Sequence, residues 1–191
     1  MADDLESRFW GDCSNTYGEE TKQLLYLQLM GFQRVPTWRT QYAFDGEGKS
    51  YIDIGGGPCS VLLKFDNRSG MVVDPAQYPA WVSHRYWDAG LNFFRHRGED
   101  FPMPVNVKYH TALIYNCLQH CDDPAKVIAN ARACANELVM FEWIDMPPHE
   151  GHPHMLTEAL LNEWTGQKGR VFDLKGQSEC YGRAWVLPRR S

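Results

Sequence analysis

The sequence lacks an excess of positive charge and has no long apolar run. The chain of 191 residues carries 19 Lys and Arg against 24 Asp and Glu, a formal net charge of -5. Proteins that bind duplex DNA through its phosphates usually have a basic surplus, so we expect no duplex DNA partner. Apolar stretches of the roughly 18 residues that cross a membrane are also missing, and we therefore expect no membrane association.

Closely paired cysteines are absent as well. None of the six cysteines belongs to a Cys-x-x-Cys pair, and the N-terminal residues do not resemble a signal peptide. We therefore expect reduced thiols, no metal site and a cytoplasmic location. The apolar fraction of 43% and the charged fraction of 23% are typical of a globular domain, which excludes a disordered chain.

Short apolar strands alternate with helical segments along the sequence. Strands are predicted at 51–54, 71–73, 91–94, 111–115 and 138–143, with a closing pair at 171–174 and 181–187. Helices are predicted at 19–30, 59–65, 78–87, 123–134 and 154–164. This alternation predicts parallel βαβ units in one α/β domain that spans residues 1–191. Ligands bind such sheets at the carboxyl ends of the strands.

A glycine loop, Gly55-Gly56-Gly57, directly follows the first of these strands. Glycine permits tight turns and close approach to a ligand, and a helix starting after the loop would add free N–H groups. Ser60 stands where the dinucleotide-binding fingerprint needs glycine, which disfavours a nicotinamide oxidoreductase. Asp53 precedes the loop, where a carboxylate suits a cationic ligand group. Asp74 ends the next strand, where an acid can bind both hydroxyls of a ribose.

The stretch from Asp53 to Pro58, together with Asp74, resembles the class I S-adenosylmethionine-dependent methyltransferases. The sequence departs from their motif at Cys59, which replaces its third glycine. Further matches follow in chain order at 99–102, 116–124, 138–142 and 181–187. The resemblance implies a Rossmann-like, doubly wound sheet of seven strands, mostly parallel with an antiparallel last strand, and helices on both faces. It also implies S-adenosyl-L-methionine as the cofactor.

Cofactor-binding residues follow from the same resemblance, position by position. It implies a cofactor site formed by Asp53, Gly55, Gly56, Gly57, Asp74, Pro75, Glu99, Asp100, Asn116, Cys117, Leu118 and Tyr17. Within this set, Asp74 would bind the ribose and the acidic loop at 99–100 would meet the adenine. Gly55 and Gly57 would pass the cofactor with almost no space for a Cβ atom. Residues 1–48 would form a helical lid segment over a Rossmann-like core at 49–191.

Three histidines are candidates for the acceptor side. His120 follows the fourth strand, whereas His149 and His152 lie in the proline-rich loop after the fifth strand. Each could act as a base or contact the acceptor, and each could equally be an ordinary structural or surface histidine. Their spacing does not favour a metal site. Several aromatic residues could enclose an acceptor or simply pack in the core: Trp10, Tyr17, Tyr26, Trp38 and Trp143.

The function that the resemblance implies is methyl transfer to a small-molecule acceptor by in-line displacement. Two alternatives stay open: a methyltransferase that acts on RNA or protein, and a catalytically silent scaffold with the same fold. The sequence leaves open the identity of the acceptor, the atom that is methylated and whether the chain forms a homodimer.

Overall fold

A seven-stranded sheet forms the centre of the protein. The computed structural model describes residues 2–36, 42–101, 108–177, 180 and 182–190. In chain order the elements are α1 (Ala2–Trp10), α2 (Tyr17–Leu29), β1 (Phe44–Asp45), β2 (Ser50–Ile54), β3 (Phe65–Asp66), β4 (Ser69–Val73), α3 (Ala80–Asp88), β5 (Leu91–Phe94), β6 (Tyr109–Tyr115), α4 (Pro124–Cys134), β7 (Ala135–Ile144), α5 (Glu158–Thr165), β8 (Arg170–Asp173) and β9 (Arg183–Leu187). Three residues named in the sequence analysis lie outside the described residues: Pro102 of the acidic loop at 99–102, the aromatic candidate Trp38, and Tyr181 at the start of the last predicted strand.

The strand order of the large sheet is β5-β4-β2-β6-β7-β9-β8. Strand β2 pairs in parallel with β4 on one side and with β6 on the other. Strand β9 runs antiparallel to both β7 and β8. The order therefore reverses between β2 and β6, and the predicted doubly wound sheet with an antiparallel last strand is confirmed. A second, two-stranded sheet joins β1 to β3.

Each face of the large sheet carries its own apolar core. On one face, α2 contributes Tyr26 and Leu27 and α3 contributes Val82, all with no exposed surface. On the other face, α4 contributes Val127 and Ile128. Burial of these side chains is the main force that holds the helices against the strands.

Two aromatic residues that could have enclosed an acceptor lie in this core. The ring of Tyr26 stacks on Phe141 with 4.0 Å between centroids, and Trp143 meets Phe141 edge-on at 5.2 Å. Both residues are buried, at 0% and 1% exposure. Of the described aromatic candidates, Trp10 and Tyr17 lie outside this buried set, and Trp10 lines the large cavity described below.

The helix predicted at 59–65 is wrong. Its place is taken by a short 3₁₀ turn at Val61–Lys64, after which the chain enters β3. The backbone N–H groups that would open a helix are used elsewhere, because Ser60 N donates to the Tyr86 hydroxyl at 2.9 Å and Val61 N to the Tyr115 hydroxyl at 3.2 Å. The predicted N–H array of a helix terminus is thus not present after the glycine loop.

Two other helical segments differ from their predictions in extent. Helix α5 begins at Glu158 rather than at His154, since the Thr157 hydroxyl caps it by accepting a hydrogen bond from Leu160 N. Helix α1 lies within the predicted helical lid segment at 1–48, although no helix with its bounds was predicted. Helix α4 begins as predicted, with the Asp123 carboxylate accepting from Lys126 N and proline at the first helical position.

In the described residues, no helix has both the length and the apolar character needed to cross a membrane.

Candidate active site

A two-part cleft opens at the carboxyl ends of β2, β4 and β6, where the strand order reverses. The larger cavity has a volume of about 460 Å³ and the smaller one about 90 Å³. Both are lined by Glu6, Gly55, Asn116 and His120, so they are two parts of one cleft. This is the position at which doubly wound sheets bind their ligands.

The glycine loop lines the large cavity with all three of its residues. Gly55 and Gly57 have φ angles of +76° and +62°, a region that side-chain-bearing residues rarely adopt. A Cβ atom at Gly55 would lie 2.6 Å from the Cys117 side chain, and one at Gly56 would lie 2.7 Å from the Asp53 carboxylate. At Gly57 the nearest atom would be 3.9 Å away. Contacts within the protein therefore exclude a side chain at 55 and 56, and backbone conformation disfavours one at 57.

Asp74 ends β4 and lines the small cavity at 5% exposure. Its Oδ2 accepts a hydrogen bond from Gly57 N at 2.9 Å, and its Oδ1 accepts from Ala76 N at 3.0 Å and the Tyr78 hydroxyl at 2.9 Å. Burial raises the pKa of this carboxyl to about 6. The side chain thus ties the glycine loop to β4, and Oδ2, with one bond made, keeps a lone pair for a further donor.

Asp53 lies beneath the glycine loop, with no exposed surface. Its Oδ2 accepts a hydrogen bond from the Ser60 hydroxyl at 2.5 Å, and burial raises the pKa of the carboxyl to about 7. Asp53 is not one of the described residues that line the two cavities. The structure therefore places it as a support of the loop and not on the wall, where a cationic ligand group could reach it.

The segment after β6 forms the wall next to the glycine loop. Asn116 has a φ angle of +50° and lines both cavities, Cys117 lines the small one, and Leu118 points into the core with no exposed surface. The fully buried Glu142 on β7 holds this turn, since its Oε1 accepts hydrogen bonds from Cys117 N and Leu118 N, each at 3.2 Å. Burial raises the pKa of Glu142 to about 8.

The remaining predicted cofactor residues divide between the small cavity and the surface. Pro75 and Glu99 line the small cavity, and the Glu99 Oε1 accepts from Asp122 N at 2.8 Å. The exposed Asp100 forms an ion pair with Lys126 at 3.0 Å. Tyr17, the first residue of α2, is 80% exposed. Asp100 and Tyr17 are thus not brought to either cavity.

Three residues of α1 line the cleft, namely Glu6, Phe9 and Trp10, and the sequence analysis singled out only Trp10. Glu6 lines both cavities and Trp10 the large one, and the indole Nε1 of Trp10 donates to Glu6 Oε1 at 2.6 Å. Residues four apart lie on the same face of a helix, so this pair was detectable in principle. Its position over the sheet was not, because no helix with the bounds of α1 was predicted.

The three candidate histidines come together at the edge of the large cavity. His149 and His152 are paired across a tight turn, with backbone hydrogen bonds of 3.0 and 2.9 Å. The centroid of the His152 ring lies 4.2 Å from that of His149 and 4.4 Å from that of His120. Burial lowers the pKa of His120, and burial next to the other two rings lowers that of His152 to about 4. Both rings are therefore neutral at pH 7.

His152 also carries a buried Nδ1 atom that has no hydrogen-bond partner among the described residues. Such an atom is costly unless a ligand or water satisfies it. The described residues form no group of three or more His, Cys, Asp or Glu side chains that could hold a metal ion. The cluster can therefore present lone pairs to a ligand.

No protein-family model and no curated protein sequence matches the chain. Solved protein structures, in contrast, do match the chain. The N-methyltransferase NodS from Bradyrhizobium japonicum, in complex with S-adenosyl-L-homocysteine, is similar with a TM-score of 0.65 and 12% identity over 97% of this chain and 95% of that one. A Thermotoga maritima protein described as an S-adenosylmethionine-dependent methyltransferase, possible histamine N-methyltransferase, gives a TM-score of 0.64 and 12% identity over 97% and 98%.

A third similar structure is phosphoethanolamine N-methyltransferase 2 from Haemonchus contortus, with a TM-score of 0.61 and 13% identity. It is covered over 46% of its length by 91% of this chain. At such identities the likeness concerns the fold. The fold is that of the S-adenosylmethionine-dependent methyltransferases, as the sequence resemblance implied.

Proposed function

We propose that this protein is an S-adenosylmethionine-dependent methyltransferase that acts on a small-molecule acceptor. The observation that carries the proposal is the cleft at the reversal of strand order, where the glycine loop and the Asp74 carboxylate face one ligand space. Two independent features fit the cofactor there. Oδ2 of Asp74 retains a lone pair for a ribose hydroxyl, and Gly55 is open to both cavities.

The residues that would hold the cofactor follow from these positions. Asp74, Pro75 and Glu99 would bind the nucleoside in the small cavity, and the glycine loop would bind the amino-acid part in the large one. Asn116 would contact both parts. Bound there, S-adenosylmethionine supplies an electrophilic methyl group. Asp53 and Glu142 would act indirectly, by holding the loop and the turn after β6.

On the acceptor side, the chain has to orient a nucleophile and exclude water. We assign orientation to the histidine cluster, because the neutral His120 and His152 rings can accept a hydrogen bond from the acceptor. A ring whose pKa is about 4 holds a proton weakly. His152 would therefore position the acceptor through Nδ1 rather than store a proton taken from it.

Two measurements test this function. Isothermal titration calorimetry with S-adenosylhomocysteine should show one binding site per chain, and release of S-adenosylhomocysteine from the methyl donor should depend on an added small acceptor. A chain that binds no S-adenosylhomocysteine would be a scaffold. A chain that binds it and methylates RNA or protein, but no small molecule, would contradict the acceptor class.

A further inference from the structure

The acidic side chain Glu6 occupies a central position in the cleft, since it lines both cavities. Its Oε1 is held by Trp10 Nε1, which leaves Oε2 for another donor. In the part of the chain that the structure describes, the ion-pair partner of Glu6 is His120, with 3.9 Å between Oε2 and Nδ1. That ring is neutral at pH 7, so it does not balance the carboxylate charge.

Among the described residues that line the large cavity, the other charged side chains are one acid and one base. Glu19 and Lys22 form an ion pair at 2.7 Å, and both side chains are largely buried. Glu6 therefore carries the excess negative charge of the described cavity wall. Burial raises the pKa of Glu6 and the nearby Glu19 adds to this, which means that the carboxylate is costly to ionise without a cation beside it.

Apolar side chains border the same space. The rings of Phe9 and Trp10 meet edge-on with 5.2 Å between centroids, and Met146 contributes a thioether. Aromatic faces next to a carboxylate favour an organic cation, because the ring attracts the charge and the apolar body of the ligand. Neutral histidines nearby add no repulsion.

Resting on the proposed methyltransferase function, we propose that the large cavity binds its acceptor as a cation, with an ammonium group on the Glu6 carboxylate and an apolar body against Trp10, Phe9 and Met146. The acceptor is thus a small amine, and the bound ammonium passes one proton to the Glu6 carboxylate before its nitrogen lone pair attacks the methyl group. An N–H of this amine donates to the free Nδ1 of His152.

Benzylamine and benzyl alcohol test this directly, because they have nearly the same shape but only the amine is charged at neutral pH. Calorimetric titrations are made with and without saturating S-adenosylhomocysteine, on the wild type, Glu6→Gln and Glu163→Gln. Glu163 is exposed on α5 and is not among the residues that line the cleft, so its variant makes the same charge change elsewhere.

We expect the wild type and Glu163→Gln to bind benzylamine at least about tenfold more tightly than benzyl alcohol, as hydrogen bonds to a charged group suggest. In Glu6→Gln this ratio should fall to about one. Equal binding of the two probes by the wild type, no binding of the amine, or a preference that survives in Glu6→Gln would each overturn the proposal.

Titration of the same proteins with S-adenosylhomocysteine separates two other failures. If Glu6→Gln weakens S-adenosylhomocysteine as much as benzylamine, Glu6 binds the cofactor's own cation and the amine proposal is wrong. If the wild type binds benzylamine selectively but does not bind S-adenosylhomocysteine, the proposed function fails while the cation site stands.

Discussion

The wall of the cleft that carries the glycine loop and the wall formed by α1 are attached to the sheet in different ways. The glycine loop is fixed by hydrogen bonds that are buried or partly buried, among them Gly57 N to Asp74 and the Ser60 hydroxyl to Asp53. Helix α1 and the turn after it make hydrogen bonds that are exposed, such as the Ser7 hydroxyl to the Gln77 carbonyl at 3.3 Å and the Trp81 indole to the Asp12 carbonyl at 3.2 Å, although Cys13 in this turn is buried.

This contrast indicates that the two walls have different roles. A rigid wall, in which hydrogen bonds fix the position of each donor and acceptor, suits a cofactor that is the same in every reaction. Exposed hydrogen bonds contribute little to the free energy of folding and break easily. The wall formed by α1 can therefore move to admit ligands. The lid expected at 1–48 stays a prediction. Helix α2 packs in the core, so we now assign that role to α1.

The largest effect should come from adding a side chain to the rigid wall. Gly55→Val combines a positive φ with overlap against Cys117, and strain and overpacking together should cost about 2–5 kcal/mol of unfolding free energy. Urea unfolding and calorimetry should show this loss together with loss of S-adenosylhomocysteine binding. Gly90→Val is the control, since Gly90 has a φ of +70° and open space around it. Wild-type binding by Gly55→Val would contradict the rigid-wall description.

Asp74→Ala should weaken S-adenosylhomocysteine by about 2–3 kcal/mol, roughly 30- to 150-fold, since it removes a charged acceptor from the ribose. Tyr78→Phe deletes one of the three protein bonds to the same carboxylate and leaves the carboxylate in place. We expect this control to bind within about threefold of the wild type, as the net worth of one hydrogen bond suggests. If both variants bind alike, Asp74 serves the loop and not the ligand.

Glu142→Gln tests the pH dependence of the rigid wall. The folded chain raises the pKa of Glu142 from 4.5 to about 8, so between these values the unfolded state binds fewer protons and stability falls as pH rises. One such group contributes at most about 1.4 kcal/mol per pH unit. The amide oxygen of glutamine can still accept from Cys117 N and Leu118 N. Urea unfolding at pH 5, 6.5 and 8 should therefore show a shallower decline in the variant, and parallel curves would refute this.

The smallest effect concerns the wall formed by α1 and needs no substitution. Hydrogen exchange of the backbone amides at 9–20 should slow when S-adenosylhomocysteine binds, because closure of α1 and the following turn would protect them. Amides in β2 and β6, already buried in the sheet, serve as the internal control and should change little. Equal exchange at 9–20 in both states would make this segment ordinary scaffold.

The sheet could be predicted from the sequence because its signals are local. Alternating apolar strands and the Asp123-Pro124 helix start each depend on neighbouring residues, and both were confirmed. The helix at 59–65 was wrong for the opposite reason. Its opening N–H groups are taken by the hydroxyls of Tyr86 and Tyr115, which are 26 and 54 residues away in the chain.

The residues of the candidate site also differ in whether a local sequence signal identifies them. Gly55, Asp74 and Asn116 follow strands and were found by that position, and the structure brings them to one cleft. Glu6 could not be found in this way, because it lies on helix α1 and not at the end of a strand. Tyr17 was singled out by its aromatic character in a turn-rich segment, which does not determine on which side of α2 a ring lies.

The absence of a helix after the glycine loop has a consequence for how the chain folds during synthesis. Helix α2 packs against the segment after the glycine loop, and Gln23 Nε2 donates to the Cys59 carbonyl at 2.7 Å, 36 residues along the chain. Its apolar residues leave the ribosome long before the strands that they cover. The first helices must therefore wait, with Tyr26 and Leu27 exposed, until β2 and β4 have emerged and the sheet can begin to form.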